Sequence, residues 1–226
     1  MSTIYRKEIK YIITIAEYLR IKPWLEQIMS IDSNGKDGGY IIRTLYFDSL
    51  NDKDLYDNLD GLRRKRKIRL RAYLPNYEKA KLECKSKNGS DGIKYTVLLN
   101  KQEIEEMING NYSCLTKKDD EKARLIYQRM ISGAYKPKTI IQYHRVAYIY
   151  PVSNTRVTFD SKIRGTVTGN GFTKEYPGFI PLLPDSHGVL EIKYNDFPPY
   201  PIVELMKNLD SLPQANSKYT LARNII

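Results

Sequence analysis

The sequence predicts an α+β protein built on an eight-stranded antiparallel β-barrel with helices packed outside. Three observations predict it: strict alternation of apolar and charged residues, hairpin-length links between neighbouring runs, and the same charged side recurring in strand after strand. Alternation is clearest in KIRLRAYL, where Ile68, Leu70, Ala72 and Leu74 oppose Lys67, Arg69 and Arg71. It returns where Leu82 and Cys84 oppose Glu83, Lys85 and Lys87. A period of two places successive side chains on opposite faces, so these runs are strands.

Read in order, strands are expected at about 5–13, 39–48, 66–74, 79–87, 92–99, 139–150, 155–164 and 188–195. Pro75-Asn76-Tyr77-Glu78 joins the third to the fourth, and Asn88-Gly89-Ser90-Asp91-Gly92 the fourth to the fifth. Links this short make antiparallel neighbours. Helices are expected at 15–30, interrupted near Pro23, and after Asn100, where Glu103 completes a capping box ahead of Ile104, Met107 and Ile108. Another is expected at 119–132, where Ala123, Ile126, Tyr127, Met130 and Ile131 form a stripe for the core. Gly- and Pro-rich residues 165–187 read as a long loop of the kind that is often functional. No repeat or linker divides the chain, so residues 1–226 are expected to form one domain.

Charge points to the partner. Lys and Arg number 37 against 26 Asp and Glu, a formal +11, which favours polyanions. Cys84 and Cys114 make neither a ligand cluster nor a disulfide framework, which fits a reducing compartment. With no secretory leader and no apolar run of the roughly 18 residues a span needs, a cytoplasmic location is expected. Any export across a membrane would depend on a partner chain.

The charged parity extends through Arg6, Glu8 and Lys10, then Tyr143 and Arg145, then Arg156, Thr158, Asp160, Lys162 and Arg164, then Glu191 and Lys193. An ordinary solvated sheet face is one account. Positions 67, 69, 71 and 83, 85, 87 nevertheless carry only ionised groups, while the opposite faces are aliphatic enough to lie under helices. A barrel lined by charge fits that pattern, and unpaired buried cations require an anionic guest. Glu8, Glu83, Asp160 and Glu191 offer hard oxygens for Mg²⁺ or Mn²⁺. The run Arg63-Arg64-Lys65-Arg66-Lys67 reads as a solvated turn or the positive rim of such a cavity. No aromatic RNA-binding signature accompanies it, so no specific nucleic acid is expected. His144, His187 and Cys84 read as packing or surface residues, and Tyr11 and Tyr219 as possible stacking residues near a nucleotide.

The successive motifs Glu8-Ile9-Lys10-Tyr11, Tyr46-Phe47-Asp48, Ile68-Arg69-Leu70-Arg71, Leu82-Glu83-Cys84-Lys85, Tyr143-His144-Arg145, Phe159-Asp160, Leu190-Glu191-Ile192-Lys193 and Ser217-Lys218-Tyr219 resemble those of the VTC domain over residues 5–224. This is the polyphosphate polymerase domain within the triphosphate tunnel metalloenzymes, a superfamily that includes CYTH-type phosphatases. The resemblance implies an eight-stranded tunnel in which the terminal phosphoryl group of ATP passes to a growing inorganic polyphosphate, with a divalent metal. Carried over by motif, Arg69, Arg71, Lys85, Arg145 and Glu191 would form the catalytic set, and Lys10, Lys87, Lys94, Lys193, Ser217 and Lys218 would complete the phosphate-binding set. Glu191 would be the metal ligand, with Glu8, Glu83 and Asp160 as further candidates. Two positions depart from the polymerase pattern: Lys87 stands where a histidine is common, and Ala215 where a basic residue is common. Hydrolytic relatives usually open on Glu-x-Glu-x-Lys, whereas this chain has Arg6-Lys7-Glu8-Ile9-Lys10. A tripolyphosphatase or nucleoside triphosphatase, and a non-catalytic polyphosphate binder, are the alternatives. No Ser-His-Asp or Cys-His set is present, and direct attack by a phosphate oxygen needs none.

Overall fold

A computed structural model of the chain describes residues 6–35, 38–89, 91–167, 171–215 and 217–225. Ten strands form one hydrogen-bonded sheet whose main path is β1(Arg6–Thr14), β10(His187–Asn195), β8(Thr155–Thr166), β7(Lys136–Tyr150), β3(Tyr40–Asp48), β4(Arg64–Tyr73), β5(Asn76–Asn88), β6(Asp91–Asn100). The eight expected strands are these eight, and the ladders with resolved register are antiparallel. Two short strands were not expected: β2(Ser30–Ile31), which pairs with β7, and β9(Ile180–Pro181), which pairs with β8. Each has only two residues, too few to show a period. The path is open, with no ladder joining β1 to β6 among the described residues. Closure into the expected barrel is therefore not part of the hydrogen-bonding pattern.

The chain separates into two compact units, one from Met1–Ile41, Tyr143–Ile163 and Leu183–Asn216, the other from Ile42–Gln142, Arg164–Leu182 and Ser217–Ile226. In the first, the apolar parity of β1, β10 and β8, with Tyr11, Ile13, Leu190, Ile192, Val157 and Phe159, packs under helices. These are α1(Ile15–Ile28), through Tyr18, Ile21 and Leu25, and α5(Tyr200–Lys207), through Ile202 and Leu205. Thr14 caps α1 by accepting from Glu17 N at 3.0 Å, and Pro23 is accommodated inside the helix. Pro199 and Pro201 open α5, where the preset φ suits the first turn and the missing N–H removes no helical bond.

The second unit repeats the scheme with other residues. Ile68, Leu70, Ala72, Leu82, Cys84, Val97 and Leu99 present one aliphatic face to α3(Lys101–Ile108) and α4(Glu121–Ser132). The stripe of Ile104, Met107 and Ile108 and that of Ala123, Ile126 and Met130 are both buried, whereas Ile131 is exposed. Asn100 and Glu103 form the reciprocal capping box. Cys84 and Cys114 are buried and form no disulfide. Two further helices, α2(Lys53–Leu59) and α6(Lys218–Ile225), show no sequence stripe. Asp48, fully buried, holds both in place: its carboxylate accepts from Asp54 N at 2.9 Å and Leu55 N at 3.0 Å at the start of α2, and from Tyr219 Oη at 2.7 Å on α6.

The segment expected as a long loop is anchored. Arg43, 2% exposed, donates to the carbonyls of Phe172, Lys174 and Glu175 and to Gln142 Oε1, and lies over the rings of Tyr77 and Phe179. Residues 168–170 of that segment lie outside the described residues.

Candidate phosphate-binding site

In both units the charged parity is the face opposite the helix-covered core; in the first much of it is nonetheless buried, while in the second Glu83 is buried and Lys85, Lys87 and Lys94 are exposed. In the first unit the register sets Glu8 opposite Lys193 and Lys10 opposite Glu191, then Glu191 opposite Thr158 and Lys193 opposite Arg156. Alternating signs across the ladder produce a lattice of ion pairs. Lys10 Nζ is 2.7 Å from Glu8 Oε1, and Lys193 reaches both Glu191 and Glu8. Asp160, with no exposed surface, accepts a two-pronged fork from Arg145, Nε at 2.6 Å and Nη2 at 2.7 Å. Burial works against the Arg145 charge, but Asp160 outweighs it and keeps the guanidinium protonated. Nη1 lies outside this fork. Thr158 Oγ1, beside Glu191 in the register, is buried with no hydrogen-bond partner among the described residues. An orphaned hydroxyl on this face is what a polar ligand or water would satisfy.

In the second unit the corresponding face spans β4, β5 and β6. Glu83, 2% exposed, is the carboxylate on which three cations converge: Arg69 Nε at 2.8 Å, Arg71 Nη2 at 3.2 Å and Lys94 Nζ at 2.5 Å. Burial alone would raise its pKa; Arg69 and Lys94 more than offset this and hold it below the usual carboxylate range. Beside it, Lys67, Lys85 and Lys94 stand directly opposite one another across three strands. Like charges in such cross-strand positions destabilise a sheet unless an anion joins them. Lys65 and Lys87 form a second like-charged pair further along the same hairpin. Arg71 Nε and the Oγ1 of its cross-strand neighbour Thr44 are buried without a hydrogen-bond partner among the described residues.

Ser217 and Lys218 are on no strand. Ser217 Oγ accepts from Thr220 N at 3.1 Å, capping α6, and Lys218 is the helix's first residue, half-buried. Tyr219, expected as a stacking residue for a base, is instead 1% exposed and stacks on Tyr46 with centroids 4.9 Å apart. Tyr11 is likewise in the core. In a strand, as for Tyr11, a tyrosine of either parity reads alike in a single sequence, and Tyr219 lies on a helix, where strand parity does not apply.

The expected metal ligands differ in how cations hold them. No group of three or more His, Cys, Asp or Glu residues that could hold a metal exists among the described residues. Both oxygens of Asp160 are committed to Arg145, and Glu83 is committed to its three cations, so neither fits a metal ligand. Glu8 and Glu191 are ion-paired too, but with lysines and not with a guanidinium. They share one face of adjacent strands, and Mg²⁺ is commonly held by one or two carboxylates together with substrate phosphates. Thr158, Thr44 and Lys67 were missing from the expected site residues. The parity could have marked Lys67 and Thr158, since each lies two residues from a chosen position.

The family model described as the VTC domain matches residues 5–226. No curated protein matches the sequence. Among solved structures, a candidate adenylate cyclase from Bacillus halodurans superimposes with TM-score 0.55 at 13% identity, covering 94% of this chain and 96% of its own. A protein from Pyrococcus horikoshii OT3 superimposes with TM-score 0.50 at 10% identity, over 98% of this chain and 100% of its own. At these identities the likeness is one of fold.

Proposed function

The chain belongs to the VTC domain family, and from that premise we propose that it is a polyphosphate polymerase, transferring the terminal phosphoryl group of ATP to inorganic polyphosphate. One observation carries the reading: a face where Arg69, Arg71 and Lys94 converge on the single buried carboxylate Glu83, beside Lys67 and Lys85. That excess of cations suits a multiply negative guest, and a chain of phosphates supplies charge at the same short spacing as the side chains. The terminal oxygen of polyphosphate attacks the γ-phosphorus, the bond from that phosphorus to the β-bridging oxygen breaks, and ADP leaves with the electron pair. Arg69, Arg71, Lys85 and Arg145 orient the equatorial oxygens and stabilise their charge, which is the main catalytic demand of phosphoryl transfer. Lys10, Lys87, Lys94, Lys193 and Lys218 hold the remaining phosphates. Glu8 and Glu191 would hold a Mg²⁺ or Mn²⁺, which supplies further neutralisation of the triphosphate when bound.

The reading extends to architecture and setting. Residues 1–226 act as one domain, and the protein works in the cytoplasm with any exporter on a separate chain. Incubation with ATP and Mn²⁺ or Mg²⁺, followed by gel electrophoresis of the products, tests it. Long chains are expected, and Arg71→Ala or Glu191→Ala should lower their yield at least about a hundredfold, as loss of one preorganised electrostatic contact does. Release of free phosphate alone would make the protein a hydrolase, and normal turnover in both variants would overturn the site.

A further inference from the structure

We propose that the end of α2 and the start of β4 form a docking surface for an anionic lipid bilayer. Tyr56 and Leu59 lie three residues apart on one side of α2 and are 55% and 47% exposed. The helix then ends in a Schellman turn: Gly61 adopts φ +67°, its N–H bonds Asn58 O, and Leu62 N bonds Asp57 O at 3.0 Å. Leu62, the residue after Gly61, is 46% exposed, so three large apolar residues are exposed within seven positions of the chain. The next residues in sequence are Arg63, Arg64 and Lys65, of which the two arginines are exposed. Exposed apolar groups adjoining a short basic run match the two layers of a membrane surface, acyl boundary and acidic headgroups.

Neighbouring acids do little to cancel this charge. Asp57 is paired with Lys53, Asp52 with Arg223 and Lys138, and Asp54 is buried; Asp60 is the exposed carboxylate nearby. Free polyphosphate or a nucleic acid would use the arginines but has no use for exposed leucines. No helix of the described residues is long and apolar enough to cross a membrane, so the contact is one of lying on the surface. This inference is independent of the polymerase reading.

Vesicle flotation of the full chain tests it, comparing phosphatidylcholine with phosphatidylcholine mixed with phosphatidylglycerol. Association with the anionic vesicles alone is expected. Arg63→Gln with Arg64→Gln should weaken it about thirtyfold, and Leu59→Ser with Leu62→Ser roughly tenfold. Both leucines are exposed and neither belongs to the cation rows, so the pair should leave ATP turnover unchanged. A Trp24→Phe, Tyr56→Trp variant should show a blue-shifted emission on anionic vesicles. Failure to float, or flotation untouched by the leucine changes, would overturn the proposal; so would leucine-dependent self-association without vesicle binding, which would make the surface a contact between copies of the chain.

Discussion

Two buried carboxyl groups in the second unit respond to pH in opposite directions, and the sign of each follows from its neighbours. Asp54 accepts from Tyr135 Oη at 2.7 Å, yet burial raises its pKa to about 6. Its folded value lies above the unfolded one, so the folded state binds more protons between about pH 4 and pH 6 and stability falls as pH rises through that window. Glu83 is the reverse: its folded pKa is depressed, so the stability it contributes is present above the unfolded value of roughly 4.3 and is lost as the pH falls towards its folded pKa. Asp54→Asn should therefore stabilise the protein at pH 7 relative to pH 4, by on the order of 2 kcal/mol. Denaturant titrations of wild type and variant at the two pH values check this. An unchanged difference between them would show that Asp54 is not the group responsible.

At the scale of elements, strands such as β4 and β5 were legible because both faces carry a distinct signal, aliphatic for the helix-covered core and ionised for the opposite side, whereas β3 showed as a mainly apolar and aromatic run. The capping box at Asn100 and Glu103 was legible because its partners are three residues apart. What stayed hidden depends on partners distant in sequence. α2 has seven residues, two of them buried, and a left-handed N-cap without a side-chain bond, so its start rests on Asp48 and on Ser49 Oγ, which accepts from Lys53 N. α6 likewise owes its place to Tyr219 reaching Asp48. The same limit hid the fate of the acidic residues, since parity shows that Asp160 and Arg145 face one side but not that they grip each other. Ser217, carried over as a phosphate contact, stands in a position that explains it without any ligand. Its hydroxyl caps α6, so Ser217→Ala should cost about 1 kcal/mol of stability, and Ser217→Asn should restore most of it. Thermal melts without phosphate decide this; if Ala has no effect, the hydroxyl serves a ligand and not the helix.

For the whole molecule, the proposed site and the stability of the fold pull against each other. A chain of +11 sets Lys67, Lys85 and Lys94 in adjacent cross-strand positions, so repulsion among them offsets part of what their own partners contribute, and a bound polyanion removes it. Tripolyphosphate at about a hundred times its dissociation constant should add roughly 2.7 kcal/mol, which for a chain of this size raises Tm by about 5–10 °C. Lys85→Gln separates the two effects. By relieving repulsion it should raise the ligand-free Tm by a few degrees at most, about 0.2–1 kcal/mol for one cross-strand pair. By weakening the phosphate contact it should shrink the rise that tripolyphosphate produces. Added neutral salt should reproduce the first effect in the wild type, because screening acts on exposed cations at separations near the Debye length of roughly 8–10 Å. A variant less stable than wild type without ligand, yet equally stabilised by tripolyphosphate, would mean that Lys85 belongs to the fold's own ion pairs, and the cation row would lose its claim to be a site.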